Sequence, residues 1–99
     1  KNKKGVCVVL CSGGYPEKYI KELEIKGLKD IDKNIICFHS GTKYKNKKIV
    51  TNGGRVLVLS NIDNSIQICR ENIYSQIEKI SFKDSFYRKD IGLRAVKND

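Results

Sequence analysis

Two glycine-rich turns are among the segments of this sequence whose residues could bind a ligand. Gly13 and Gly14 follow an apolar stretch, and a glycine pair there lets backbone N–H groups approach a phosphate closely. The spacing is not that of a P-loop, so a tight turn is the simpler interpretation. A second turn covers residues 52–54, and Arg55 directly after it could reach a carboxylate or a phosphate.

The segment from residue 86 to residue 95 is aromatic and basic, and its composition favours an extended conformation. If it is extended, Arg88 and Asp90 share one face and could form a structural ion pair. Alternatively, Arg88, Lys89 and Arg94 could form a phosphate clamp, because Arg offers a bidentate fork and Lys a point charge. The residues themselves leave both alternatives open.

The sequence offers no paired carboxylates, no nucleophile–base pair and no metal-ligand constellation, so we assign no catalytic residue and no metal ligand. His39 is the only histidine, and although Ser40 follows it, adjacent strand residues point to opposite faces. Cys7 and Cys11 on one strand would lie about 13 Å apart, too far for a disulfide or for one metal ion. Apolar neighbours around all four cysteines predict buried thiols, which fit a reducing cytoplasm.

Length and composition indicate one small domain. The chain has 99 residues, a mass of 11.3 kDa, 39% apolar and 31% charged residues. It is short for a complete enzyme that folds around two large substrates, and it contains no Met, so we expect a piece of a longer protein or a processed start. The longest apolar run, residues 6–11, is far below the roughly 20 residues that span a bilayer, so no membrane partner is predicted.

The net charge of +9 raises the question of a polyanionic partner. Sixteen of the 20 basic residues are scattered Lys, with the densest group at residues 43–48, which favours a solvated surface. Two alternative functions remain on this evidence alone. One is a small basic nucleic-acid-binding β domain, whose affinity would depend strongly on salt. The other is a carrier domain with Lys47 at a hairpin tip.

The apolar pattern predicts several strands followed by one helix. Strands are expected at residues 5–12, near 23–26, at 35–39, 49–51 and 55–60, with a polar hairpin over 41–48 whose tip lies near 45–47. Apolar residues on both faces of the first strand indicate a central position in a sheet. An amphipathic helix is expected at about 65–79, with a stripe formed by Ile66, Cys69, Ile73, Ile77 and Ile80. This order predicts an α+β fold, a small antiparallel sheet or barrel-like domain, with residues 1–99 as a single domain.

Six stretches of the sequence, taken together and in this order, are specific enough to indicate a protein family. The most specific are GGYP at 13–16, NGGRVL at 52–57 and YRKDIG at 87–92. The full set is Val6–Pro16, Ile25–Leu28, Phe38–Thr42, Val50–Leu57, Glu71–Phe82 and Tyr87–Ala95. Together they resemble the C-terminal domain of the phosphoribosylamine–glycine ligase (glycinamide ribonucleotide synthetase) family of the ATP-grasp superfamily. The sequence departs from the family pattern at Cys11, Ser40, Val58 and Ser81, where Ala, Ala, Gly and His are usual.

The resemblance implies a fold and an activity. The domain would be a barrel-like rudiment single hybrid motif that closes the active-site cleft of a cytoplasmic enzyme of purine synthesis. The whole enzyme would join glycine to 5-phosphoribosylamine with ATP, by way of a glycyl phosphate. ATP and Mg²⁺ would be bound mainly outside these residues, so the isolated chain is expected to be inactive. The partners implied are these small-molecule substrates, with no nucleic acid and no membrane.

The resemblance also implies a role for the glycine pair and the basic residues. By analogy with similar ATP-grasp ligases, Arg88, Lys89 and Arg94, with backbone amides at Gly13 and Gly14, would bind the phosphate of phosphoribosylamine.

Overall fold

A three-stranded antiparallel sheet forms the centre of the computed structural model, which describes residues 3–89. The elements in chain order are β1 (Lys4–Cys11), a short 3₁₀ turn (Leu28–Asp30), β2 (Ile36–His39), β3 (Thr42–Lys45), β4 (Lys48–Thr51), β5 (Arg55–Asp63) and α1 (Ile66–Ile77). The sheet has the order β1-β5-β2, and β3 and β4 form a separate two-stranded sheet. The predicted α+β class, the antiparallel pairing and the single main helix are confirmed.

The first strand lies at the edge of its sheet within the described residues, so its predicted central position is wrong. β5 takes the centre because it is long enough to pair with β1 on one side and β2 on the other. β1 alternates between buried side chains, among them Val8 and Leu10, and more exposed ones such as Cys7. Its second apolar face is therefore not explained by burial within residues 3–89.

The helix covers one face of the sheet and adds three buried side chains to the core. Its stripe is the predicted one: Cys69, Ile73 and Ile77 are buried against the inward side chains of β1 and β5. The helix begins after Ser65, whose Oγ accepts a hydrogen bond from the Ile68 N–H at 3.4 Å. That hydroxyl satisfies one of the backbone donors that every helix start leaves unpaired.

A buried asparagine ties the helix to the sheet. Asn61 on β5 donates from Nδ2 to the Asn34 carbonyl at 2.9 Å and accepts from Asn72 Nδ2 at 3.0 Å. Its side chain is 3% exposed, so both hydrogen bonds are needed to offset the desolvation of the amide. The pairing fixes α1 relative to the strand that carries Arg55 at its other end.

The β3–β4 hairpin turns at Asn46 and Lys47, as predicted. Both residues have positive φ (52° and 65°), the conformation that two-residue hairpin turns require. The predicted short strand near 23–26 is an extended segment that pairs only through isolated bridges, Glu24 with Val50 and Lys26 with Ser81. This segment connects the hairpin to the chain that follows α1.

Burial of the four cysteines differs from the prediction. All four are free thiols, and only Cys69 is fully buried; Cys11 and Cys37 are half-buried and Cys7 is exposed. The prediction is wrong for Cys7 because its apolar neighbours Val6 and Val8 point to the opposite face of the strand. Among residues 3–89, the structure has no helix with the length and apolar character that crossing a membrane requires.

Candidate functional site

The two glycine-rich turns pack against each other. The Ser12 N–H donates to the Gly54 carbonyl at 2.7 Å, and Ser12 Oγ donates to the Gly53 carbonyl at 2.8 Å. The ring of Tyr15 lies on Gly54 so closely that a Cβ on that glycine would fall 1.7 Å from Tyr15 Cδ1. Motifs that are forty residues apart in sequence therefore form one unit.

Arg55 begins β5 at the edge of this unit. Its Cζ lies 6.0 Å from the centroid of the Tyr15 ring, within the range of a cation–π contact. A register shift between Leu10 and Cys11 places Arg55 opposite Cys11. Burial raises the pKa of the Cys11 thiol, and the positive charge of Arg55 partly opposes this. The guanidinium is thus held at the surface beside an aromatic ring.

The segment after α1 brings Arg88 to the same place. Phe86 forms an antiparallel bridge with Cys11 through hydrogen bonds of 3.0 and 2.8 Å. The Tyr74 hydroxyl on α1 donates to the Arg88 carbonyl at 2.6 Å, and the Tyr74 and Tyr87 rings lie 5.9 Å apart. Both the strand end and the helix therefore position the backbone at Arg88.

These contacts create a depression of about 410 Å³, which we call the arginine depression. It is lined by Cys7, Val9, Cys11, Tyr15, Arg55, Phe86, Tyr87 and Arg88. Arg55 and Arg88, both exposed, line it beside apolar and aromatic residues, and guanidinium groups suit a phosphate or carboxylate because they can form charge-assisted, bidentate hydrogen bonds. Among residues 3–89, no three His, Cys, Asp or Glu side chains are grouped closely enough to hold a metal ion.

The structure separates the predicted site residues. Arg88 lines the arginine depression, while the Lys89 carbonyl accepts a hydrogen bond of 3.0 Å from Arg70 on α1. Arg94 and Asp90, the alternative ion-pair partner of Arg88, lie outside the described residues.

Gly13 and Gly14 lie in a tightly packed turn. Gly13 lines a different depression, of about 210 Å³, together with Lys18, Lys83 and Asp84. A Cβ on Gly13 would fall 2.5 Å from the Asp84 Cβ, and one on Gly14, which has φ +90°, would fall 2.0 Å from the Lys18 carbonyl oxygen. Close backbone approach explains both glycines, and a phosphate-binding role for their amides stays a prediction.

Of the lining residues, the sequence predicts anion binding for Arg55 and Arg88 separately, without placing them in one site. It predicts only a turn for Tyr15 and no site role for the other lining residues. The available signal was the placement of an aromatic residue and an arginine each directly after a glycine pair. The contact between the two turns is a tertiary contact, and the spacing of residues in the sequence does not predict it.

The densest lysine group is paired with acidic side chains. Glu22 accepts hydrogen bonds from Lys43 at 2.6 Å and from Lys45 at 2.5 Å, and Lys48 lies 3.6 Å from Glu24. The two lysine hydrogen bonds hold the pKa of Glu22 down at about 2, so its carboxylate stays charged. This compensation weakens the case for a nucleic-acid surface on the hairpin. Lys47 lies at the tip, where a carrier domain would need it.

Comparison with known proteins gives a consistent result. The family model described as "Phosphoribosylglycinamide synthetase, C domain" matches residues 5–94. A phosphoribosylamine–glycine ligase of Caldanaerobacter subterraneus is 47% identical over 91 residues, covering 92% of this chain and 22% of that protein. The corresponding ligase of Fusobacterium nucleatum is 45% identical over 95 residues, covering 93% of this chain and 22% of that protein.

The match extends to a longer protein and to a solved structure. A trifunctional purine biosynthetic protein adenosine-3 of Gallus gallus is 43% identical over 97 residues, covering 97% of this chain and 10% of that protein. The crystal structure of a phosphoribosylamine–glycine ligase from Thermotoga maritima superposes with a TM-score of 0.77 at 35% identity, covering 87% of this chain and 21% of that one. The chain thus spans about a fifth of the length of the ligases that it matches.

Proposed function

Because the chain belongs to the phosphoribosylglycinamide synthetase C-domain family, we propose that it acts as the C-terminal domain of a phosphoribosylamine–glycine ligase in purine biosynthesis. The observation that carries this proposal is the match along residues 5–94, together with ligases 47% and 45% identical over more than nine tenths of the chain. The rest of the ligase polypeptide, about four fifths of its length in these relatives, would supply the remainder of the active site.

The proposed reaction has two steps. The glycine carboxylate attacks the γ-phosphorus of ATP, which gives glycyl phosphate and releases ADP. The amine of 5-phosphoribosylamine then attacks the acyl carbon, an amide bond forms, phosphate leaves and the amine loses a proton. Among residues 3–89 no three His, Cys, Asp or Glu side chains are grouped to hold a metal ion, and we assign ATP and Mg²⁺ mainly to the rest of the enzyme.

The part that we assign to this domain is binding of the ribose 5-phosphate. Arg55 and Arg88 line one depression, and two guanidinium forks match the oxygens of a phosphate dianion. Lys89 and Arg94 would add positive charge near the same group. Holding the phosphate anchors the substrate at a group remote from the reaction, which lowers the entropy lost when its amine meets the acyl phosphate.

We also assign the domain the role of closing the active-site cleft. The apolar and aromatic lining of the arginine depression would exclude water once it faces the other domains. Exclusion of water would protect the acyl phosphate from hydrolysis. The four free thiols fit a cytoplasmic enzyme.

The test is an assay of the full-length enzyme and of the 99-residue chain. The full-length enzyme should form ADP over many turnovers only when glycine and 5-phosphoribosylamine are both present, with glycinamide ribonucleotide detected by mass spectrometry. The 99-residue chain alone should give no product. Turnover by the short chain, or a parent polypeptide without an ATP-grasp region, would contradict the proposal.

A further inference from the structure

The face of the three-stranded sheet that points away from α1 is apolar, and we call it the outer sheet face. Its apolar members are Cys7, Val9, Ile36, Phe38, Val58 and Ile62, and the polar Ser60 lies among them. These side chains share one face because Val58 on β5 pairs with Val9 on β1 and with Phe38 on β2. Cys7, Ser60 and Ile36 are paired in the same way two residues further along the strands. Cys7 Sγ lies 3.5 Å from Ser60 Oγ, so these two side chains lie on the same side of the sheet.

This face is mostly apolar, and Ser60 is the one hydroxyl among its side chains within residues 3–89. Ile36 is 49% exposed, Phe38 54% and Ile62 59%, although each is a large apolar side chain. An antiparallel sheet with one face in water usually alternates apolar and polar residues. In a chain that is 31% charged, neither Ser60 nor any of the six apolar residues carries a charge. Contiguous apolar surface of this kind marks a site of interaction.

We propose that the outer sheet face is the surface on which the remainder of the ligase polypeptide packs, an inference that rests on the proposed function. The occupant follows from length: the matching ligases are more than four times as long as this chain, so most of their polypeptide lies outside it. Covalent attachment keeps that partner at a high effective concentration, so it competes well against a second copy.

Continuity with the arginine depression supports this arrangement. Cys7 and Val9 belong to both surfaces, so the depression is the end of the outer sheet face that carries positive charge. Packing of the remaining polypeptide on the apolar part would place Arg55 and Arg88 at the margin of the interface. A phosphate bound there would be enclosed between this domain and the rest of the enzyme, as a cleft-closing role requires.

The experiment places a reporter thiol on the face in the full-length ligase. The Ile36→Cys and Ile62→Cys variants carry it on the outer sheet face, and Ile68→Cys is the control on α1, the opposite layer, where the isoleucine is 42% exposed. Each variant is treated with a maleimide under native conditions and in urea, and labelling of each cysteine peptide is followed by mass spectrometry. Normalising to the urea rate removes differences in intrinsic reactivity.

The thiols of the Ile36→Cys and Ile62→Cys variants should react about tenfold or more slowly than that of Ile68→Cys, since a covered thiol reacts only after local opening. Equal normalised rates would overturn the inference. Protection that disappears on dilution would also overturn it, because the occupant would then be a second copy. Ligase activity is measured on the same samples: an active enzyme with unprotected thiols refutes the docking surface alone, and an inactive wild-type enzyme refutes the proposed function.

Discussion

The ring of Tyr15 lies directly on Gly54, and this contact joins the GGYP turn to the NGGR turn. Gly54→Ala would place a methyl group 1.7 Å from Tyr15 Cδ1, so the ring must leave its position over Arg55. We expect a loss of about 1–3 kcal/mol in the free energy of unfolding, typical of overpacking. Urea titration of the 99-residue chain followed by circular dichroism measures it.

The matched control is Gly53→Ala at the neighbouring position. A Cβ there meets no heavy atom closer than 3.5 Å, which is ordinary van der Waals contact. Its stability should change much less than that of Gly54→Ala. Equal losses for the two variants would show that the Tyr15 contact does not define this turn.

Much of this architecture was predictable, because local patterns determine it. The stripe Cys69, Ile73 and Ile77 identifies the buried face of α1 without any knowledge of the sheet. The turn at residues 46 and 47 was also predictable from local sequence, because a two-residue loop between antiparallel strands is restricted to a few turn types.

The predictions that failed depend on what lies beside a segment. β1 was predicted to be central because both of its faces are apolar, yet within the described residues its outer face, including Cys7, is left exposed. A sequence pattern shows that one face of a strand is apolar. It does not show whether the residues that pack on that face belong to the same short chain. The prediction that Gly13 and Arg88 bind the same phosphate stays a prediction. The two residues line different depressions, and contacts between segments distant in sequence determine those positions.

Removal of either arginine of the depression should weaken substrate binding in the full-length enzyme. Arg55→Ala and Arg88→Ala should each raise the KM for 5-phosphoribosylamine about tenfold, because a hydrogen bond to a charged group contributes roughly 1.5–3 kcal/mol. The KM for ATP should stay unchanged, and Lys33→Ala, at an exposed lysine that does not line the arginine depression, is the control. Steady-state kinetics with an unchanged KM for 5-phosphoribosylamine in both variants would exclude this phosphate site.

Glu22 should make the stability of the hairpin dependent on pH. The pKa of its carboxyl falls from 4.5 to about 2 because Lys43 and Lys45 donate hydrogen bonds to the charged form. Folding therefore favours the ionised form, and the stabilisation is complete above pH 4.5 and lost as the pH falls toward 2.

Glu22→Gln removes this dependence. The variant should be less stable than the wild type at pH 7, and the difference should shrink between pH 4.5 and pH 2. Urea titrations across that range measure it. Because the carboxylate is exposed, 1 M NaCl should also reduce the difference at pH 7, since the Debye length is then about 3 Å. A difference that is constant from pH 7 to pH 2 would show that the lysine contacts contribute nothing.

Asn61 should be the most sensitive polar residue of the core. Asn61→Ala removes two hydrogen bonds and leaves the exposed Asn34 carbonyl and the half-buried Asn72 amide without this partner, so we expect a loss of about 2 kcal/mol. Asn72→Ala removes the 3.0 Å bond and leaves the buried Asn61 Oδ1 without this donor, so it should cost about 1–2 kcal/mol. The loss of stability in the double variant should be smaller than the sum of the losses in the two single variants, because both single variants remove the same Asn61–Asn72 hydrogen bond. Simple additivity in urea titrations of the four proteins would mean that the two side chains act independently and that this bond does not hold α1 on β5.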